Sequence, residues 1–309
     1  MFEYSVVATT YNDEREILQY LENICKQTNL PCEIVVADGG SKDNTLSIID
    51  DYSKQSPVPI RRITKGRLNI AEGYNEAIEA AHSDFIGLTG VGNSYEADYF
   101  EKLIDEQQTG NYDIVYSPIR GRITTSFSMK YCETVLGGDK GQILPIASNH
   151  GALIKKNVFI ESGYFYTHFV YAGEDAEFYE LARSKGYSQK LVHDAVVRWF
   201  VPETKKEYLK QIRNYTIANM QLWSNLRLIK QVVKRILPII ALLSVVVLAG
   251  LFFNWTLGVI IGLLTAITGV VVSLHSTGNY LIRLLSKYMP VYYIITNFKY
   301  ASSKYKVHR

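Results

Sequence analysis

The chain has 309 residues, 47% of them hydrophobic, and a formal net charge of +3. That length holds one sizeable domain with an appendage, or two small domains, and the composition excludes a disordered chain. The near-neutral total hides a division: residues 203–309 carry 14 Lys/Arg against two Asp/Glu, a net of +12, while residues 1–202 carry 19 against 28, a net of −9. Charge divided in this way points to a basic surface that meets an anionic partner.

The chain opens on MFEYSVVATTYNDE, a strand running into a charged helix rather than a cleavable signal peptide. YSVVATTY reads as a strand, and a helical stretch follows from Asp13 to about Gln27. EIVVAD is a second strand, ending at Gly39-Gly40-Ser41, after which Asp43-Asn44 can cap a helix to about Ser53. VPIRRIT and DFIGLTG are further strands, separated by a helix from about Asn69 to Ala81, and YDIVYSPI makes a fifth. Strands alternating with helices of this length indicate a parallel sheet covered on both faces, with ligands at the carboxyl ends of the strands. The loops Thr9–Asp13, Asp38–Asp43, Lys65–Asn69 and Gly90–Asn93 are therefore the ones expected to carry function.

Past residue 120, SNHGALIKKNVFIESGYF reads as strand, short helix and turn. GEDAEFYELARSKGY is a helix that opens on two carboxylates and closes at Gly186, and KLVHDAVVRWFVP is a late strand. Residues 203–235 read as one long helix, with Tyr208, Ile212, Tyr215, Leu222, Leu226, Ile229 and Val233 near helical spacing and Lys and Arg between them. This is the pattern of a helix lying along a membrane interface; a helix packed on a protein core is the alternative.

Residues 236–274 contain no charge at all and split at Asn254-Trp255 into runs of 18 and 20 residues. As helices these span about 27 and about 30 Å, enough to cross a hydrocarbon core. Lys230, Lys234 and Arg235 before the pair and Arg283, Lys287 and Lys299 after it place both ends on the cytoplasmic side. The expected location is thus the cell membrane, multi-pass, with the N-terminal domain cytoplasmic. The basic partner is a membrane surface and not nucleic acid, for which no motif is present. The domains are expected at 1–202, at 203–235 for the interfacial helix, at 236–274 for the transmembrane hairpin and at 275–309 for a basic, aromatic-rich tail. Cys25, Cys32 and Cys132 form no CxxC pair, fit a reducing compartment and read as packing residues.

Taken together and in order, these segments resemble the GT-A-fold glycosyltransferases of family 2, inverting enzymes that use nucleotide sugars; the resemblance covers residues 2 to about 218. It implies an α/β, Rossmann-like mixed sheet with flanking helices. VVATTYNDE is similar to the family's nucleotide-binding strand and turn, which gives Thr9 and Tyr11 a place there. VVADGGSKDNT is similar to the next loop, so Asp38 contacts the base or ribose, unless it only caps its turn. KGRLNIAEGYNEAI resembles the segment that approaches the diphosphate, implying Arg67, Asn69 and Asn75; Arg67 reads otherwise as a solvated loop residue. In YAGEDAEFYELARSKGY the aspartate of the family's Glu-Asp motif is the general base, here Asp175 beside Glu174; both read otherwise as first-turn carboxylates on a helix dipole. Gly173 leaves room for an acceptor, and Asn149 and His150 fall in an acceptor-side loop, where His150 reads as structural rather than catalytic.

The departure is LTGVGNSYEADYF, where Gly90, Val91 and Gly92 stand in place of the family's metal-binding Asp-x-Asp. A histidine ligand after the late strand is also missing, and VVRWF offers Arg198 and Trp199. Magnesium or manganese is the cofactor the family implies, yet no ligand for it is nominated here. Arg67, Arg198 or a Lys or Arg of the tail would then supply the positive charge, with Arg198 read otherwise as a surface arginine on a lipid phosphate. The reading is a membrane-bound transferase moving one sugar, with inversion, from a nucleotide sugar to a polyprenyl-linked glycan. The alternative is a degenerate nucleotide-sugar-binding or scaffold subunit of a glycan-assembly complex. Oligomeric state is not legible.

Overall fold

The computed structural model describes residues 2–136, 147–169, 171–252, 259, 260, 263 and 280–302. The chain divides into two compact units: residues 1–122, 142–168 and 173–200 form the first, and residues 123–141, 169–172 and 201–309 the second.

The first unit is built on a seven-stranded sheet. Its elements are β1 (Ser5–Thr10), α1 (Ile17–Ile24), β2 (Glu33–Asp38), α2 (Thr45–Ser53), β3 (Ile60–Thr64), α3 (Ile70–Ala80), β4 (Phe85–Thr89), β5 (Ser94–Tyr95), α4 (Tyr99–Gly110), β6 (Ile114–Tyr116), β7 (Ile119–Arg122), β8 (Gly151–Lys155), α6 (Lys156–Ser162), α7 (Glu174–Ser184), β9 (Gln189–Leu191) and β10 (Val197–Phe200). The strand order is β3-β2-β1-β4-β8-β6-β9, with β8 antiparallel to both of its neighbours and the other pairs parallel. The sheet is therefore mixed, as the resemblance implies. β1 and β2 are buried along almost their whole length because helices cover both faces. Alternate residues serve opposite cores: Val6, Ala8, Ile34 and Val36 pack with Ile17, Tyr20, Leu21 and Phe100. Val7, Val35 and Ala37 pack with Tyr74, Ala77, Ile78 and Phe178 on the other side.

Two expected strands prove to be two strands each. YDIVYSPI breaks at Ser117-Pro118 into β6 and β7, and KLVHDAVVRWFVP breaks at residues 192–196 into β9 and β10. The two segments run side by side and change sheets together: β9 pairs with β6 in the large sheet, and β10 lies between β5 and β7 in a second, three-stranded one. Pro118 has no N–H for a ladder, and its carbonyl accepts from Val197 N at 3.1 Å as the second pairing begins. Helix α1 is shorter than expected, because Asp13 opens a turn that receives the N–H groups of Glu16 and Ile17.

In the second unit α5 (Ser126–Val135), α8 (Lys205–Leu222), α9 (Asn225–Phe252) and α10 (Tyr280–Thr296) are the α-helices among the described residues, and a last short 3-10 turn (Phe298–Ala301) follows them. The single helix expected over 203–235 is interrupted at Trp223-Ser224. Trp223 turns extended, Ser224 Oγ accepts from Arg227 N at 3.3 Å, and the Arg227 guanidinium stacks 4.3 Å over the Trp223 ring. The apolar side of α8 is covered within the unit: Ile217 and Met220 pack with Leu228, Ile294 and Tyr300, and Tyr131 meets Tyr208 edge-on. One described helix, over Asn225–Leu248, is long and apolar enough to cross a membrane, and its most apolar stretch of 18 residues is not buried by the protein. The Asn254-Trp255 turn, most of the second run of the expected hairpin and the last residues of the tail lie outside the described residues. Of the three free cysteines Cys132 is buried and Cys25 half-buried, but Cys32 is exposed, so packing does not account for it.

Candidate active site

The order β3-β2-β1-β4 creates a topological switch point. The chain steps outward from β1 through β2 to β3, then returns to the other flank of β1 as β4. Ligands of such sheets sit at the carboxyl ends of the two strands beside that point. Thr9 and Tyr11 leave β1 there, and Gly90 leaves β4.

The loops after β1 and β2 are laced together. Asn12 N–H donates to Ser41 Oγ at 2.9 Å, Lys42 N–H to Asn12 Oδ1 at 2.8 Å, and Asp13 N–H to Thr45 Oγ1 at 2.9 Å. Asp38 is buried, and its carboxylate accepts the N–H groups of Gly40 at 3.0 Å and Ser41 at 3.1 Å. It does cap its turn, yet a carboxylate offers about four acceptor sites, which leaves room for a ribose hydroxyl. Gly40 needs its φ of +93°, and Gly66 O and Arg67 Cα lie 3.5 and 3.6 Å from where its Cβ would stand. Exposed Arg67 is thus held by its backbone over the Asp38 turn, while exposed Tyr11 flanks it from β1.

Two nominated asparagines have architectural work. Asn69 caps α3 in a reciprocal box with Glu72, and its Nδ2 donates to Thr167 O at 3.0 Å. Asn75 Nδ2 donates to Phe165 O, and Phe165 N–H donates back to Asn75 Oδ1, both at 2.9 Å.

The turn after β4 is closed by Asn93 N–H donating to Gly90 O at 3.1 Å, with Gly92 at φ +91°. Gly90 N–H donates to Tyr95 Oη at 3.0 Å, and Tyr95 O–H donates to His150 O at 2.8 Å. The side chains of Asn93 and His150 meet, Nδ2 to Nδ1, at 3.1 Å, and the imidazole lies 5.2 Å from the Trp199 ring. Burial pushes the His150 pKa down to about 4, so its ring is neutral. A divalent cation of the kind the family implies does not fit this turn, which offers amides and one imidazole but no carboxylate. Among the described residues no three His, Cys, Asp or Glu gather as ligands for an ion.

Next to His150, Asn149 Nδ2 donates to Glu174 Oε1 at 3.3 Å, so the turn connects to the start of α7. Gly173 precedes that helix at φ +111°, a conformation that a side chain would strain. Burial, then the neighbouring Asp175 charge, pushes the Glu174 carboxyl up to about 7, and burial also raises Asp175. A raised, closely spaced acid pair at a helix start can hold one proton and accept another.

Arg198 lies on β10 opposite Ser94, its guanidinium 3.7 Å from Glu96. Strand alternation puts it on the face away from Trp199, and hence away from His150. Sequence reasoning did not find Tyr95 or the Asn93–His150 contact. The contact joins residues 57 apart, and nothing local to either marks it. It also missed a cavity of about 190 Å³ on the α1 side of the turn, lined by Glu16, Glu22, Lys26, Asn93, Arg122 and Phe200 among others.

The sequence profile of Glycosyl transferase family 2 matches residues 5–167, which contain both switch-point loops and the Asn93–His150 turn. The chain belongs to glycosyl transferase family 2. It is 27% identical over 111 residues to the "Uncharacterized glycosyltransferase EpsJ" of Bacillus subtilis (strain 168), a match covering 36% of this chain and 32% of that one. It is 24% identical over 250 residues to a dolichyl N-acetyl-alpha-D-glucosaminyl phosphate 3-beta-D-2,3-diacetamido-2,3-dideoxy-beta-D-glucuronosyltransferase of Methanococcus voltae, covering 69% and 72%. The chain spans about a third of the length of EpsJ and of the alr2836 glycosyltransferase of Nostoc. The family 2 fold also matches the mannosyltransferase PcManGT from Pyrobaculum calidifontis, solved with GDP-Man and Mn2+, with a TM-score of 0.63 at 18% identity over 97% of this chain and 87% of that one. S. aureus TarS 1-349 in complex with UDP-GlcNAc superposes with a TM-score of 0.53 at 17% identity, over 70% and 66%.

Proposed function

We propose that this protein moves one sugar, with inversion, from a nucleotide sugar to a lipid-linked glycan at the cytoplasmic face of a membrane. The observation that carries the reading is the Glu174–Asp175 pair, tied through Asn149 and His150 to the turn at the switch point. Asp175 takes the proton of the acceptor hydroxyl as its oxygen attacks the anomeric carbon. The new C–O bond forms on the face opposite the nucleotide, and the bond to the diphosphate oxygen breaks with its electron pair leaving on the phosphate. Glu174, raised to about 7, keeps a proton beside the base and spares the site a second buried negative charge. Asp38 and the laced loops hold the nucleoside, with Thr9 and Tyr11 at the end of β1 and Gly90 and Gly92 at the end of β4. Arg67 offers charge to the diphosphate, and Arg198 is set against Glu96 instead. Gly173 and Asn149 border the acceptor. No step is assigned to a metal, because the turn offers no carboxylate to hold one.

The membrane part of the reading is supported by the exposed apolar stretch of α9 and by Lys230, Lys234 and Arg235 in the part of that helix before it. A lipid-linked acceptor is supported by the name of the Methanococcus relative, which acts on a dolichyl-linked sugar phosphate. Two spans with both ends cytoplasmic remain the topology proposed from charge and length. The missing turn carboxylates favour a second reading, a nucleotide-sugar-binding subunit without turnover. Purified full-length protein in detergent, given a panel of nucleotide sugars with and without chelator, separates them. Release of nucleoside diphosphate in chelator is expected, and no release from any donor, with or without added manganese, leaves only the binding subunit.

A further inference from the structure

The turn after β4 holds neutral groups, Asn93 and His150, where the family pattern places a charged ligand set, and the space around Gly90 is shaped by them. A Cβ added to Gly90 would stand 2.8 Å from Asn93 Nδ2 and 3.8 Å from His150 Nδ1. The place of a side chain at 90 is thus taken by the Asn93 amide, with His150 Nδ1 at ordinary van der Waals distance behind it. Asn93 is buried, and its Nδ2 is a donor, so His150 Nδ1 is the acceptor of their 3.1 Å bond. A neutral imidazole that accepts at Nδ1 carries its proton at Nε2. The low His150 pKa agrees: burial keeps the ring neutral across the physiological range. Tyr95 fixes the backbone on both sides, receiving Gly90 N–H and donating to His150 O, and the Trp199 ring flanks the imidazole. Among the described contacts Nε2 has no protein partner. This donor stands next to the carboxyl end of β4, one of the two strands at the switch point.

We propose that His150 Nε2–H, held in that tautomer by Asn93, donates a hydrogen bond to the diphosphate of a bound nucleotide, so that this cleft takes a nucleoside diphosphate without a divalent cation. The inference rests on the reading that the cleft binds a nucleotide sugar. A fixed neutral donor costs no reorganisation when charge develops on the leaving oxygen, which is the property that makes preorganised N–H groups effective.

Calorimetric titration of the full chain in detergent with UDP, GDP, CDP, ADP and dTDP, all in chelator, provides the test. One of them is expected to bind. His150→Gln, whose amide N–H reaches the place of Nε2, should keep binding within about threefold, while His150→Asn, which reproduces only the Nδ1 position, should weaken it about tenfold or more, the size of one lost hydrogen bond to a charged group. Nitrogen NMR of the wild-type histidines gives a readout independent of any variant's folding: an Nε2–H tautomer whose resonance moves on nucleotide binding is expected. An Nδ1–H tautomer, binding that needs manganese or magnesium, or equal affinity in both variants and wild type would overturn the proposal. Chelator-resistant binding with no sugar transfer would instead leave it standing and remove the proposed activity. Absence of binding by every nucleotide removes both.

Discussion

Asp175 and Glu174 differ in what a single substitution should do. Asp175→Asn keeps the shape and removes the proposed base, so sugar transfer should fall by about 10² to 10⁴ while nucleotide affinity stays near wild type. A variant that retains transfer within about tenfold would sink the assignment. Glu174 speaks through pH. Folding raises its carboxyl from 4.5 to about 7, so the native state keeps a proton that the unfolded chain gives up between those values. Its stabilising contribution is complete below about pH 4.5 and is lost as pH rises through about 7. Melting temperatures of Glu174→Gln and wild type should therefore diverge between about pH 5 and 8 in favour of the variant. Parallel curves would mean that the carboxyl is not held protonated by the fold.

Elements place these residues through close approaches. Helix α3 lies against β1 at Gly73, where a Cβ would come within 2.7 Å of Thr9 Cγ2 and 3.7 Å of Ala37 Cβ. Only hydrogen fits, and the helix that carries Asn69 and Asn75 is thereby pressed onto the strand that carries Thr9. Gly73→Val should cost about 1–3 kcal/mol by overpacking. Because the strain falls on Thr9, nucleotide affinity should drop along with thermal stability. A variant that melts lower but binds nucleotide as wild type would show that α3 can shift without moving the β1 loop. The paired break of β6/β7 and β9/β10 is the second device at this scale. It brings Val197 and Trp199 into a small sheet beside β5, and so puts the Trp199 ring against His150.

At the scale of the molecule, the anionic N-terminal part and the cationic C-terminal part follow from the charge count alone, and α9 is the feature proposed to join them to a membrane. Leu243 and Val247 lie one turn apart on exposed α9. Replacing both by Lys adds about 2.5–3.5 kcal/mol each at the centre of a spanning helix. The double variant should move from the membrane pellet to the supernatant after a salt wash, which also strips attachment that depends on surface charge alone. A pellet fraction equal to wild type would rule out α9 as the anchor. Truncation is a poorer experiment, because α10 covers the buried side of α8 and its loss would expose Ile217 and Met220.

The central strands, the helices between them and the loops that carry Asp38, Arg67 and Asp175 were legible from the sequence, because apolar runs bounded by glycine and asparagine are local signals. The lack of a carboxylate at residues 90–92 was legible too, since it needs no structure to be noticed. The division of charge between the halves needed only counting. What filled the turn was decided by tertiary structure: Asn93, Tyr95, His150 and Trp199 come from three separate stretches and meet only once β4, β5, β8 and β10 have paired. The orientation of Arg198 was likewise beyond the sequence, because its face depends on the register of β10 against β5. So was the break at Trp223, where the periodicity of one helix runs through two and only packing against α10 and the last short turn sets each one's direction. Local chemistry fixes which residues are present in a loop, but which of them touch depends on strand order and register, and those are settled by the burial of side chains far apart in the chain.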